Sequence, residues 1–151
     1  MKKWLILGAI SLLLLVRAES TGTDINELEP VGVIQVLTTE DGVRVRTDTG
    51  AEGYGAGLSQ ALENLHSSAP SRIFLDTAQN LLVDREEYLE ELSQILRPAC
   101  QICLIKEEAD LELASRYLKI HGTKVTLLQY RAGVADLPLF YSKEGRSQLV
   151  Q

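Results

Sequence analysis

Short apolar runs rich in β-branched residues alternate along this chain with stretches whose apolar residues recur at helical spacing. That alternation limits the fold more than any other feature, because such strands and helices pack as layers of helix on sheet. Residues 31–38 read as a strand, and Val43-Arg44-Val45-Arg46-Thr47 alternates as a half-buried strand does. Glu40-Asp41-Gly42 between them is a turn signal, since glycine takes positive φ without a Cβ penalty. The pair predicts an antiparallel hairpin at the front of the domain. Leu58, Ala61, Leu62 and Leu65 form one stripe of a helix over 58–66, which ends at the Ser- and Pro-containing residues 67–71. Residues 72–75 and 79–83 predict two short strands around a tight corner. Asp84, with Glu87 behind it, has the capping-box pattern for a helix over 85–96 that turns Tyr88, Leu89, Leu92, Ile95 and Leu96 inward. Pro98 stops it.

Residues 101–106 predict another strand. A helix over 109–121 follows, with Leu111, Leu113, Ala114, Tyr117 and Leu118 apolar and Gly122 at its C-cap. Residues 124–128 read as a further strand. The connection from 101–106 to it should cross over right-handed if the two pair in parallel. Residues 137–141 predict a last edge strand, weakened by Pro138. The expected fold class is α/β: a mixed sheet with a leading antiparallel β-hairpin and about three helices packed on it.

The N-terminus reads as an address rather than as part of that fold. Lys2 and Lys3 precede an apolar run over 4–16. As a helix it would reach only about 20 Å at the usual rise, short of the ~30 Å hydrocarbon core, and its length suits a signal-peptide core. Val16 and Ala18 flank Arg17 as the −3 and −1 positions of a cut before Glu19. The organisation expected is an export signal or retained anchor over 1–18, a linker over 19–30 and one domain over 31–151. The formal charge is −6 among 151 residues. Loss of residues 1–18 would remove Lys2, Lys3 and Arg17 and no anion. An acidic chain has no long-range pull towards nucleic acid, and aromatic residues at 5% provide no stacking platform for bases or sugars.

The residues that could carry chemistry are few. Cys100-Gln101-Ile102-Cys103 has redox or half-zinc spacing. In a strand, however, Cys100 would share a face with Ile102 and Leu104, and Cys103 would share the other with Ile105. Thiols on opposite faces neither bridge nor share a metal. Buried free thiols are therefore the expectation, with a local disulfide, redox or metal role as alternatives. His66 and His121 fall near helix C-termini, where a cation complements the dipole. Gly53, Tyr54, Gly55 and Gly57 read as a glycine-rich surface loop before a helix. The spacing is not that of a dinucleotide or P-loop, but the loop is a candidate contact for a partner or small ligand, with Tyr54 exposed. The acidic cluster Glu107, Glu108, Asp110 and Glu112 suits a helix start. No catalytic constellation, cofactor motif or metal set is found in the sequence.

From Thr23-Asp24-Ile25-Asn26-Glu27-Leu28 onward the chain resembles the N-terminal domain of the Ger(x)C family, the spore-germination lipoproteins that form the C subunit of germinant receptors. After that phrase come a strand, an acidic-Gly turn and a second strand. A helix then carries Gly57, Ala61, Leu62 and Leu65, followed by Ser71-Arg72-Ile73-Phe74-Leu75 and a Leu-Leu-Val strand at 81–83. The likeness spans residues 23–122 and lies in the order of weak phrases. The family's lipidated cysteine would fall near position 19, where this chain has Glu19, and the family's two further domains have no counterpart in the sequence. The resemblance implies a non-enzymatic, extracytoplasmic interaction module of germination or sporulation. Its partners would be membrane or exported proteins such as receptor subunits. The alternatives are an extracytoplasmic small-ligand-binding module and a secreted thiol protein using Cys100 and Cys103.

Overall fold

The computed structural model describes residues 28–133, 136–143 and 146–150. The expected export segment, most of the linker and most of the phrase at 23–28 lie outside the described residues. The elements run β1 (Leu28–Pro30), β2 (Val33–Thr39), β3 (Gly42–Thr47), β4 (Glu52–Gly55), α1 (Leu58–Ser68), β5 (Arg72–Phe74), β6 (Asn80–Val83) and α2 (Tyr88–Ile95). After these come β7 (Gln101–Ile105), α3 (Leu111–His121), α4 (Leu127–Arg131), β8 (Leu139–Lys143) and β9 (Arg146–Val150). Seven strands make one sheet in the order β4-β3-β2-β6-β7-β8-β9, while β1 and β5 pair in parallel apart from it.

The sheet is mixed, as expected. β2 pairs antiparallel with β3 over Ile34↔Thr47 to Thr39↔Gly42, and parallel with β6 over Val33↔Asn80 to Val36↔Val83. The β6–β7 and β7–β8 pairs are parallel, and the outer pairs β3–β4 and β8–β9 are antiparallel. Gly42 takes φ 144° in the hairpin turn, the positive value its sequence implies.

Helices cover both faces of the sheet. On one side Ile34, Val36, Val45, Leu81, Val83 and Ile102 pack under the stripe Leu58, Ala61, Leu62 and Leu65 of α1, with Leu89 and Leu92 of α2 and Leu127 of α4. On the other, Val33, Leu37, Leu82, Cys103, Ile105 and Phe140 pack under Leu111, Ala114 and Leu118 of α3. Each large aliphatic side chain so buried contributes about 2 kcal/mol of transfer free energy.

Several local expectations are corrected. Residues 28–30, placed in the linker, form β1. Residues 124–128 are not a strand: Thr126 and Gln129 exchange capping-box bonds and start α4, leaving only a bridge between Gln101 and Thr126. The strand that follows α3 and pairs in parallel with β7 is therefore β8. Nor is the 137–141 run an edge strand, since β9 covers β8. Asp84 does not cap α2. Its Oδ2 accepts the Thr38 N–H at 2.7 Å, continuing the β2–β6 seam, and the helix begins only at Tyr88. Ile95, on the flank of the inward stripe in the last turn of α2, is 42% exposed. In α3, Leu113 and Tyr117 are only partly buried.

The glycine stretch is the largest correction. Gly53, Tyr54 and Gly55 lie in strand β4 rather than in a loop, and Gly57 is the N-cap of α1. A Cβ on Gly53 would land on the Ala61 carbonyl oxygen and the Leu65 backbone, and one on Gly55 on the Ala61 nitrogen. The glycines thus let a helix backbone lie directly on a strand, the close approach that only a missing Cβ allows. Gly57 has open space around it, an extended backbone (φ −147°, ψ 175°) and no side-chain cap. Gly53→Ala is expected to cost about 2–3 kcal/mol by overpacking. Gly57→Ser is expected to be neutral or stabilising by a few tenths, because serine can cap the helix. Urea denaturation of both variants measures the contrast.

Candidate interaction surface

The two ends of the sheet are finished differently. At one end, α1 closes the outer rim of β4. The Asn64 side-chain amide donates to the Tyr54 carbonyl at 2.6 Å, and the Ser68 hydroxyl donates to the Glu52 carbonyl at 2.7 Å. An edge that is short, rich in glycine and has its carbonyls occupied is a poor template for another strand. The leading hairpin offers no free edge: β2 is central and β3 is covered by β4. Tyr54 is exposed, as a contact residue must be, and its hydroxyl donates to Glu52 at 2.9 Å.

Beside Tyr54 the outer face of β3 and β4 carries a charge cluster. Arg44 and Arg46 of β3 both bond Glu108, from the turn after β7, and pair with Glu52 at 3.7 and 3.5 Å. Burial pulls the Arg44 guanidinium down, but its interactions with Tyr54 and Glu108 outweigh that and hold it above its ordinary value. Glu108 thus ties the β7–α3 turn to β3. Only Asp110 of the acidic cluster caps α3, accepting the N–H groups of Glu112 and Leu113 at 3.0 and 3.1 Å.

At the other end β9 has no further strand beside it among the described residues. Its residues alternate exposed and half-buried, with Leu149 packed towards Phe140 and Val150 exposed. Tyr141 lies opposite Gln148, and Leu139 lies opposite Val150. These four side chains share the face of β8–β9 away from α3, where Tyr141 and Val150 are exposed apolar groups. No sequence expectation named β9. Its signal was present, because Glu144-Gly145 repeats the acidic-Gly turn of the first hairpin and Ser147 to Val150 alternates weakly.

The thiols lie where strand periodicity predicts. Cys100 packs with Ile102 on one face of the sheet, and Cys103 packs with Ile105 on the other. Both are free and buried. Burial pushes each thiol up to about 12, with the charge of Arg97 opposing the rise at Cys100 and the neighbouring Cys100 adding to it at Cys103. Nucleophilic and redox chemistry need the thiolate, which this environment suppresses. His66 and His121 sit in the last turns of α1 and α3 as expected. His121 also packs on Tyr117, with ring centroids 4.6 Å apart.

Two buried amides stand out on the α3 face, where neither was expected. Gln35 of β2 is fully buried, and neither of its side-chain polar atoms has a hydrogen-bond partner among the described residues. Asn80, at the start of β6, is 5% exposed and its Oδ1 is likewise unpartnered. An unpartnered buried polar group costs about 1–3 kcal/mol. Gln35→Leu is therefore expected to stabilise the fold by about 1 kcal/mol, read as a higher urea midpoint with an unchanged slope. A second expectation concerns pH. A buried thiol that stays protonated in the folded state stabilises it below the unfolded value near 9, and that contribution is lost as pH rises towards about 12. The urea midpoint should fall between pH 9 and 11 more steeply than in a Cys100→Ala, Cys103→Ala variant.

No protein-family model matches the chain, and no curated protein or solved structure matches it significantly.

Proposed function

We propose that this chain is a non-enzymatic interaction module, exported to the outer side of the membrane, that binds an extended segment of a partner protein along β9. The observation that carries the reading is the asymmetry of the sheet: the β4 rim is occupied by Asn64 and Ser68, whereas β9 ends the sheet with no strand beside it among the described residues. A bare strand edge presents a row of backbone N–H and C=O groups, and an added strand satisfies them. Tyr141 and Val150 next to that edge supply apolar contact for the side chains of the added strand. The partner is a different polypeptide rather than a second copy, because the net charge of −6 makes two copies repel.

The order of phrases resembling the Ger(x)C N-terminal domain supports a place in spore germination or sporulation, with receptor subunits as the partner class. The dilysine and apolar run over 2–16 support export. The buried, electronically quiet thiols weigh against the thiol alternative, and the placement of Gly53 and Gly55 under α1 weighs against a ligand loop there.

Affinity capture with the full chain from spore membranes is expected to recover receptor subunits. Val150→Lys should abolish capture while leaving the circular dichroism spectrum unchanged, since a charge at the edge blocks strand addition. Undiminished capture by that variant sinks the β9 reading. N-terminal sequencing of membrane and soluble pools tests export: an untrimmed chain free in the cytosol overturns it.

A further inference from the structure

A cavity of about 410 Å³ lies where the chain enters the parallel strands, at the starts of β2 and β6. Its wall includes Asp48 from the turn after β3, Thr77 before β6 and Asn80 at its start, Arg97 beyond α2, and Ser115 and Lys119 of α3. Most of this wall is fixed by internal bonds. The Thr77 hydroxyl accepts the Val31 N–H at 2.9 Å and donates to the Phe74 carbonyl at 2.7 Å. The Asp48 carboxylate accepts the Gly32 N–H and the Ser115 hydroxyl, both at 3.0 Å. Arg97 donates to the Thr77 carbonyl at 2.8 Å. Asn80 differs: it is 95% buried, it lines the cavity, and its Oδ1 has no partner among the described residues.

The chemistry of the wall is two-sided. Asn80 Oδ1 and the remaining lone pairs of Asp48 are acceptors and call for an N–H or O–H group. Arg97 and Lys119 are cationic donors and call for an oxyanion. A simple anion would face the Asp48 carboxylate, which repels it. A simple cation would face Arg97 and Lys119. We propose that this cavity binds a small zwitterion of amino-acid size, its carboxylate held by Arg97 and Lys119 and its ammonium held by Asp48 and Asn80. A pre-formed cleft of this volume with a few convergent polar groups is of the kind that holds small molecules. The site is separate from β9, so its failure would leave the strand-addition reading standing.

The test compares free L-serine with its two halves, propionate and ethanolamine, by thermal unfolding of the full chain. Serine at ten times its dissociation constant is expected to raise Tm by about 4 °C, while each half alone at that concentration does not. Lys119→Gln, at an exposed position, should weaken the serine response about tenfold. Asn80→Leu should abolish the response while raising Tm in buffer alone, as expected of an atom kept polar for a ligand. An equal effect of propionate alone, no serine response at any concentration, or a Lys119→Gln variant that responds as the parent chain does would overturn the proposal.

Discussion

Strand β2 bonds to neighbours that run in opposite senses on its two sides, and the rest of the molecule is arranged around that requirement. Val33 to Leu37 are all buried, so both faces of β2 need a covering layer. The α1–α2–α4 layer covers one face and α3 the other. Both ends of β2, where the ladder runs out, are fastened by carboxylates. Asp48 takes the Gly32 N–H before the strand, and Asp84 takes the Thr38 N–H near its end. Charge-assisted bonds to backbone N–H groups are among the stronger hydrogen bonds available to a fold. They join the antiparallel half of the sheet to the parallel half.

The two outer strands then meet different fates. β4 is drawn under α1, whose backbone sits where the Cβ atoms of Gly53 and Gly55 would be, and whose polar side chains close the rim. β9 receives only partial cover, through Leu149 against the α3 side. One rim of the sheet is therefore finished by the protein itself, and the other has no further strand beside it among the described residues. This difference follows from where the helices lie. α1 follows β4 directly and folds back on it, whereas Leu139, Tyr141 and Val150 on the outer face of β8–β9 belong to neither buried cluster.

The polar exceptions are concentrated on the α3 side. Gln35 and Asn80 interrupt an otherwise apolar layer, and Asn80 borders a cavity with charges of both signs. A fold selected for stability alone would place leucine at such positions. The cysteines show the opposite case. They occupy apolar positions on both faces, behave as small hydrophobic residues, and have thiols held protonated by burial.

The first hairpin, the α1 stripe and the opposed faces of Cys100 and Cys103 were legible in the sequence, because each rests on local periodicity or on one turn residue. The α4 start has a local signal too, the Thr126 and Gln129 capping pair, which competes with the β propensity of Val125-Thr126. Asp84 misled because a carboxylate before a helix can equally serve a strand beside it, and only the approach of Thr38 decides between them. The sequence by itself determined an α/β chain with a mixed sheet, since alternation and helical spacing are written in consecutive residues. Only the tertiary structure decided which glycines admit a helix, which strand is left at the rim, and that Asn80 lines a cavity with Arg97 and Lys119. Those outcomes depend on contacts between residues far apart in the chain, and no local pattern records them.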